Sequence, residues 1–184
     1  MIHLVRVTKE NLDYAVFIQN TLFPSFNGQA NFEDSVSGKA DNEYDLVYDQ
    51  DVCVGITGIY TYDTDPDSAW LGWFGILEPY RRRHYGKETI RLFEEAAKAR
   101  GFHHTRIYTD RYDNETAIAF YTSCGYTSEI YDNPYDPACY EYPMLIFSKS
   151  LNGSPVIPWN NRSIHLTEQM EKELMPQKKY HFDL

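Results

Sequence analysis

Four basic side chains, Arg81, Arg82, Arg83 and Lys87, fall within the seven residues Arg81-Arg82-Arg83-His84-Tyr85-Gly86-Lys87 of a chain with a formal net charge of −10. The run follows the apolar stretch Ala69 to Leu77 and opens an amphipathic segment. A strand, a basic turn and a helix N-terminus together form a natural anion site. The N–H groups of a first helical turn point outward unpaired, and the helix dipole adds partial positive charge there. The chemistry this spacing calls for is the binding of a phosphate-bearing ligand.

Other reactive residues carry less. His103 and His104 are adjacent, and neighbouring side chains on a strand point to opposite faces. Without a Cys or carboxylate at ligand spacing they read as polar residues on the surface, and no metal is expected. Cys53, Cys124 and Cys139 are odd in number and widely spaced, so neither a disulfide framework nor a zinc site follows. Cys124 has no His partner at motif spacing and reads as structural. Tyr121 beside Phe120 reads as a core aromatic, and Asn114 as a helix N-cap.

These residues need elements to hold them, and the hydrophobic period supplies a set. Ile2 to Val7 alternates as a strand, and Thr8 caps a helix from Lys9 to Leu22 with Leu12 and Val16 on its apolar face. Residues 25–43 are irregular, with room for one short helix. Asp45 to Tyr48 and Val52 to Tyr62 are strands joined by a tight turn, and Ala69 to Leu77 is a third, giving an antiparallel meander. A helix from Gly86 to Ala99 carries Ile90, Phe93 and Ala97 on one face and stops at Gly101. Thr105 to Thr109 is a strand and Asn114 to Ser123 a helix, with Ala117, Phe120 and Tyr121 turned to the sheet. Two strands follow, near Tyr126 to Tyr131 and Tyr140 to Ser148, around a turn-rich loop at 132–137. The order predicts a mixed α/β fold, with parallel pairing across the strand–helix–strand unit.

Composition bounds the rest. A chain of 184 residues with 42% hydrophobic content fits one domain at residues 1–150, plus an extension at 151–184. In that extension Pro155, Pro158 and Trp159 mark an extended crossing. Thr167 then caps a short helix to Met175, with Pro176 as its end. The extension packs over the parent domain, over a neighbouring subunit or across an acceptor cleft, so a homodimer stays open. The acidic balance excludes general nucleic-acid binding. No segment reaches the eighteen or so apolar residues of a membrane span, and Met1 to Val7 is too short and polar for a signal peptide. A soluble, cytoplasmic protein is expected.

Two stretches give the chain a family resemblance. Arg81, His84 and Gly86 occupy the three defining positions of a turn read as Arg or Gln, two residues, Gly, one residue, Gly or Ala. Asn114-Glu115-Thr116-Ala117-Ile118-Ala119-Phe120-Tyr121-Thr122-Ser123-Cys124-Gly125-Tyr126 looks like an Asn-x-x-Ala-x-x-Phe-Tyr-x-x-x-Gly-Phe/Tyr block. In this order and separation they resemble the GNAT superfamily of acyl-CoA-dependent N-acetyltransferases, from about Ile2 to Ser148. His84 departs from the pattern, standing where the family usually has its first glycine.

The resemblance implies a central, mostly antiparallel sheet flanked by helices, with two splayed parallel strands as the acyl-CoA cleft. It implies acetyl-CoA as co-substrate. The diphosphate would lie on backbone groups of Arg82, Arg83, His84, Tyr85, Gly86 and Lys87 after Arg81, and the pantetheine arm beside Ile76, Leu77 and Asn114. Tyr121 is implied as the general acid that protonates the departing thiolate. The acceptor is implied to be a small-molecule or peptide amine, for which the acidic chain favours a cation such as a polyamine, an aminoglycoside or a Lys side chain. No carboxylate lies in Trp70 to Gly75, where many members carry one. Glu78, Asp63, Glu33, Asp34 and Glu141 stay open as acids near the site, and none is selected as base. A CoA-binding regulatory module without turnover, and an interaction domain without CoA, are the competing readings.

Overall fold

The computed structural model describes residues 2–39, 41–136, 139 and 143–178. Among these, the order is β1 (Ile2–Arg6), α1 (Leu12–Leu22), α2 (Gln29–Ser37), β2 (Glu43–Asp49), β3 (Val52–Tyr60), β4 (Ser68–Ile76), α3 (Tyr85–Ala99), β5 (His104–Asp110), α4 (Glu115–Ser123), β6 (Thr127–Tyr131), β7 (Met144–Ser150) and α5 (Glu168–Lys178). A one-turn 3-10 helix, Glu78–Tyr80, lies between β4 and α3. The strands form one 7-stranded sheet in the order β1-β2-β3-β4-β5-β7-β6. All neighbours are antiparallel except β4 and β5, which are parallel, as the strand–helix–strand order predicts.

Strand alternation sorts the core onto the sheet's two faces. On the first face Ile90, Phe93 and Ala97 of α3 and Tyr121 of α4 pack on Leu71, Ile107, Leu145 and Phe147. On the second face Ala15 and Ile18 of α1 and Phe32 of α2 cover Leu46 and Ile56. Adjacent Leu46 and Val47 accordingly enter different clusters. The remainder of the second face is covered by the C-terminal segment, whose Trp159 and Ile164 pack on Trp70, Tyr131, Met144 and Ile146. Of the three placements left open by sequence, this segment's contacts are with its own sheet.

Several boundaries differ from the sequence reading. Helix α1 begins at Leu12 because Asn11 Oδ1 takes the Thr8 N–H at 2.7 Å and Asn11 Nδ2 donates to the Arg6 carbonyl at 3.0 Å, closing a turn first. Residues 25–43 do hold a helix, α2. Helix α5 starts as expected, with Thr167 Oγ1 accepting the Met170 N–H at 3.3 Å. It continues to Lys178, so Pro176 falls within its last turn, where one donor is lost rather than a whole ladder.

Candidate active site

Strands β4 and β5 pair only at Ser68–His104, Ala69–Thr105 and Trp70–Arg106. Strand β4 continues to Ile76 and β5 to Asp110, so their C-terminal halves diverge. Since β5 stays paired with β7 from His104 to Asp110, it is β4 that turns away. The bend has a local cause. Ile56 pairs with Gly75 and Gly58 with Gly72, so Trp73 and Phe74 stand opposite Thr57 alone. Such a bulge bends its strand and re-aims side chains. Trp73 turns to the second face, its ring 5.0 Å from Phe23 and 5.8 Å from Phe26. Phe74 turns to the first, 5.8 Å from Phe120 and 6.2 Å from Tyr121. The result is a V-shaped cleft with unpaired main chain along the β4 edge.

The basic turn closes the wide end of the V. The side chain of Arg81 folds back, Nε donating to the Ile76 carbonyl at 2.9 Å, and so fixes the turn to the end of β4. The Leu77 N–H donates to the Val54 carbonyl at 2.9 Å and the Leu77 carbonyl accepts from Tyr80 at 2.9 Å. At Ile76 and Leu77 the carbonyls therefore retain a second lone pair, whereas the Leu77 N–H is used. Arg82 (φ 60) and His84 (φ 65) both take the left-handed conformation. That conformation explains why a glycine suits position 84, and His is among the side chains that tolerate it better than most. The first bond of α3 runs from the Glu88 N–H to His84, so the N–H groups of Tyr85, Gly86 and Lys87 precede the ladder. Tyr85 is anchored by its hydroxyl to Asp49 Oδ2 at 2.6 Å, and the Arg83 guanidinium lies 5.9 Å from the Tyr80 ring. Arg82, Arg83, His84 and Lys87 are exposed.

Gly86 serves a packing purpose. A Cβ there would meet Phe120 at 3.2 Å and Phe74 at 3.8 Å, so the missing side chain lets α3 approach α4 and β4. A side chain at 86 would thus aim between the helices and not at the outward N–H groups.

Tyr121 is 7% exposed and ringed by Phe74, Phe120, Tyr126 and Phe147. Burial pushes its phenol well above the ordinary value, so it keeps its proton throughout the neutral range. Asn114 stands at the N-cap position of α4, but its side chain does not cap the helix. Its Nδ2 donates to Thr109 Oγ1 at 2.8 Å and to the Asp110 carbonyl at 3.3 Å, tying α4 to the diverging end of β5. The capping expected from sequence gives way because β5 ends within reach.

The acids considered from sequence do not gather at the cleft. Glu33 is engaged by Gln29 at 2.8 Å and Asp34 by Lys39 at 3.7 Å, both on α2. Glu78 and Asp63 are exposed, and Glu141 lies outside the described residues. His104 also departs from expectation: it is 4% exposed, with Nε2 enclosed and unbonded. Burial, and then the Arg106 charge, hold its imidazole below the ordinary value. Cys124 is half-buried, and burial raises its thiol, as suits a structural cysteine. Among the described residues no group of three His, Cys, Asp or Glu side chains is placed to hold a metal ion.

Sequence reasoning missed a tyrosine cluster on the second face, packed against Trp70, Tyr131 and Ile146. Tyr60 and Tyr62 sit 5.2 Å apart, and Tyr108 and Tyr131 5.7 Å apart. The excess of tyrosine, 16 in 184 residues, was the available signal. Its clustering depends on contacts between strands distant in sequence.

A profile of the acetyltransferase (GNAT) family matches residues 13–126. No curated protein matches the chain. Solved structures share its fold. The ribosomal-protein-S18-alanine N-acetyltransferase of Escherichia coli is 16% identical at a TM-score of 0.64, covering 84% of this chain and 97% of its own. Arabidopsis thaliana NAA60, solved with acetyl-CoA, is 16% identical at 0.65, covering 83% and 100%. An aminoglycoside 6'-acetyltransferase type Ii is 19% identical at 0.67, covering 84% and 99%.

Proposed function

We propose that this chain, which belongs to the acetyltransferase (GNAT) family, moves an acetyl group from acetyl-CoA to a primary amine by direct attack in a ternary complex. The observation that carries this reading is the coincidence of the β4–β5 divergence with the exposed N–H groups before Glu88. The outward N–H groups of Tyr85, Gly86 and Lys87, aided by those of Arg82, Arg83 and His84, receive the diphosphate. Arg82, Arg83 and Lys87 add positive field. The pantetheine arm lies along the unpaired edge of β4, where the carbonyls of Ile76 and Leu77 accept from its amides and Asn114 faces it from the start of α4.

Threaded this way, the thioester reaches the narrow part of the V beside Phe74 and Tyr121. The neutral amine attacks the carbonyl carbon, a C–N bond forms and the C–S bond breaks. Tyr121 gives its phenolic proton to the departing sulfur, the attacking nitrogen sheds one proton to water as the amide forms, and water returns a proton to the phenolate before the next turnover. The remaining contribution is orientation of two reactants in one cleft.

The test is release of free CoA thiol from acetyl-CoA across a panel of primary amines, beside a thermal-shift titration with CoA. Amine-dependent thiol release is the expected result. A melting shift without release from any amine would turn the protein into a CoA-binding module. No shift at millimolar acetyl-CoA would remove both CoA-dependent readings, because a ligand bound only by the native state must raise its melting temperature.

A further inference from the structure

The basic turn holds a backbone conformation that its own side chains do not secure. Arg82 (φ 60) and His84 (φ 65) both take the left-handed region within three residues, and neither has the freedom of glycine. Such residues are strained and keep that conformation only where the surroundings over-determine it. His84 stands at the N-cap position of α3, yet its side chain makes no capping bond. The restraint therefore has to come from the flanks.

On one flank Arg81 Nε donates to the Ile76 carbonyl at 2.9 Å. On the other, Tyr85 directly follows His84 and donates its hydroxyl to Asp49 Oδ2 at 2.6 Å. Asp49 is a firm anchor. It is the last residue of β2, opposite Ile2 of β1 on one side and Val52 of β3 on the other. Tyr80 and Tyr85, which bracket the turn, pack against Ile2, Val47 and Val54. The bond holds the Asp49 carboxyl below its ordinary value and the Tyr85 phenol above its own. It is thus a charge-assisted bond, shorter and stronger than a neutral one. By its field alone, a carboxylate at this end of the protein opposes the binding of a diphosphate. Its place beside a basic turn makes sense as a mechanical anchor.

We infer that Asp49 is a positioning residue for CoA, acting through the Tyr85 hydroxyl to hold His84 in the left-handed conformation that glycine would adopt unaided. The N–H groups of Tyr85, Gly86 and Lys87 are thereby kept aimed at the diphosphate. This rests on the reading above that the turn receives CoA, and it gives the β2–β3 end of the sheet control over donor affinity.

The experiment is calorimetric titration with CoA. Tyr85→Phe removes one oxygen and should weaken the Kd about tenfold, the scale of a hydrogen bond to a charged group. In turnover the change should fall on the KM for acetyl-CoA more than on kcat. Asp49→Ala should weaken CoA to the same extent, whereas loss of a negative charge would by field alone tighten it. Adding Asp49→Ala to Tyr85→Phe should cost nothing further, because the acid acts through that hydroxyl. In a His84→Gly background, where the left-handed conformation is unstrained, Tyr85→Phe should cost about twofold or less. Equal losses in the two backgrounds, or an Asp49→Ala affinity equal to or tighter than wild type, overturn the inference and leave the proposed activity standing. Absence of CoA binding to the wild type would overturn the activity instead. Amide exchange at Glu88, whose N–H donates to the His84 carbonyl at 3.1 Å, then decides the tether in the CoA-free protein. Faster exchange in both Tyr85→Phe and Asp49→Ala supports it, and unchanged exchange in either overturns it.

Discussion

At its N-terminal end the β4–β5 pair is bolted together, and at its C-terminal end the same strands stand apart. The closed end surrounds Asp65, which accepts from Arg106 Nε at 2.8 Å, from Trp70 Nε1 at 3.1 Å and from Arg162 Nη2 at 3.1 Å. Arg106 also donates to Ser148 Oγ at 2.6 Å and to the Ile157 carbonyl at 3.1 Å. The Trp159 ring lies between the guanidinium groups of Arg106 at 5.1 Å and Arg162 at 3.9 Å. The contacts of Arg106, and that of Arg162 with Asp65, join elements far apart in the chain. The open end has a bulge, two glycines and unpaired main chain. Buried charge at the closed end is neutralised within the protein and serves stability, whereas the open end leaves groups facing a gap that only a ligand fills. The rigid end holds the two strands at the angle from which the other end diverges.

That contrast makes separable predictions. The largest effect belongs to the closed end. Arg106→Met strands the buried Asp65 carboxylate and should cost about 3–5 kcal/mol of folding stability. Chemical denaturation measures it, and a loss under 1 kcal/mol would show that the bolt is not structural. Next is Tyr121→Phe at the open end, which should lower kcat by about 100-fold, the lower range for a general acid. Its Kd for CoA should hardly change, and single-turnover kinetics beside a CoA titration separate the two. Unchanged kcat removes Tyr121 as the acid.

Gly86→Val overfills the space against Phe120 and should destabilise by about 1–3 kcal/mol. CoA affinity should weaken as α3 is displaced. Equal stability to the wild type would mean that the α3–α4 contact is loose. The smallest effect is a pH slope. The His104 imidazole is held below its ordinary value of 6.5 by burial first and then Arg106. The unfolded chain therefore takes up the proton first, so stability is full above about 6.5 and falls as pH drops towards the folded-state value. His104→Asn should flatten the melting temperature between pH 7 and 5, and an unaltered slope would assign the acid sensitivity to other groups.

Much of the fold was legible because it is written locally. The apolar period of Ile90, Phe93 and Ala97 marked α3 and its buried face, and alternation marked the meander. The basic turn could be read as an anion site because strand, turn and helix start are contiguous. Asn114 was read correctly in position and wrongly in contact, since its bond partner Thr109 is chosen by the angle between β5 and α4. His104 was read as a surface residue because adjacency on a strand says which faces two residues take, not whether either face is covered. The cover is the C-terminal segment, some fifty residues further along.

What the sequence determined by itself was the order of most elements, the basic turn ahead of α3 and the Asn114 to Tyr126 block, all of which depend on neighbours within a few residues. What only the tertiary structure decided was where β4 leaves β5 and that the C-terminal segment clamps the closed end. Those outcomes depend on which distant surfaces bury together, and burial is a property of the assembled chain. A carboxylate or an imidazole has no fixed role until the fold has set its distance from water and from other charges.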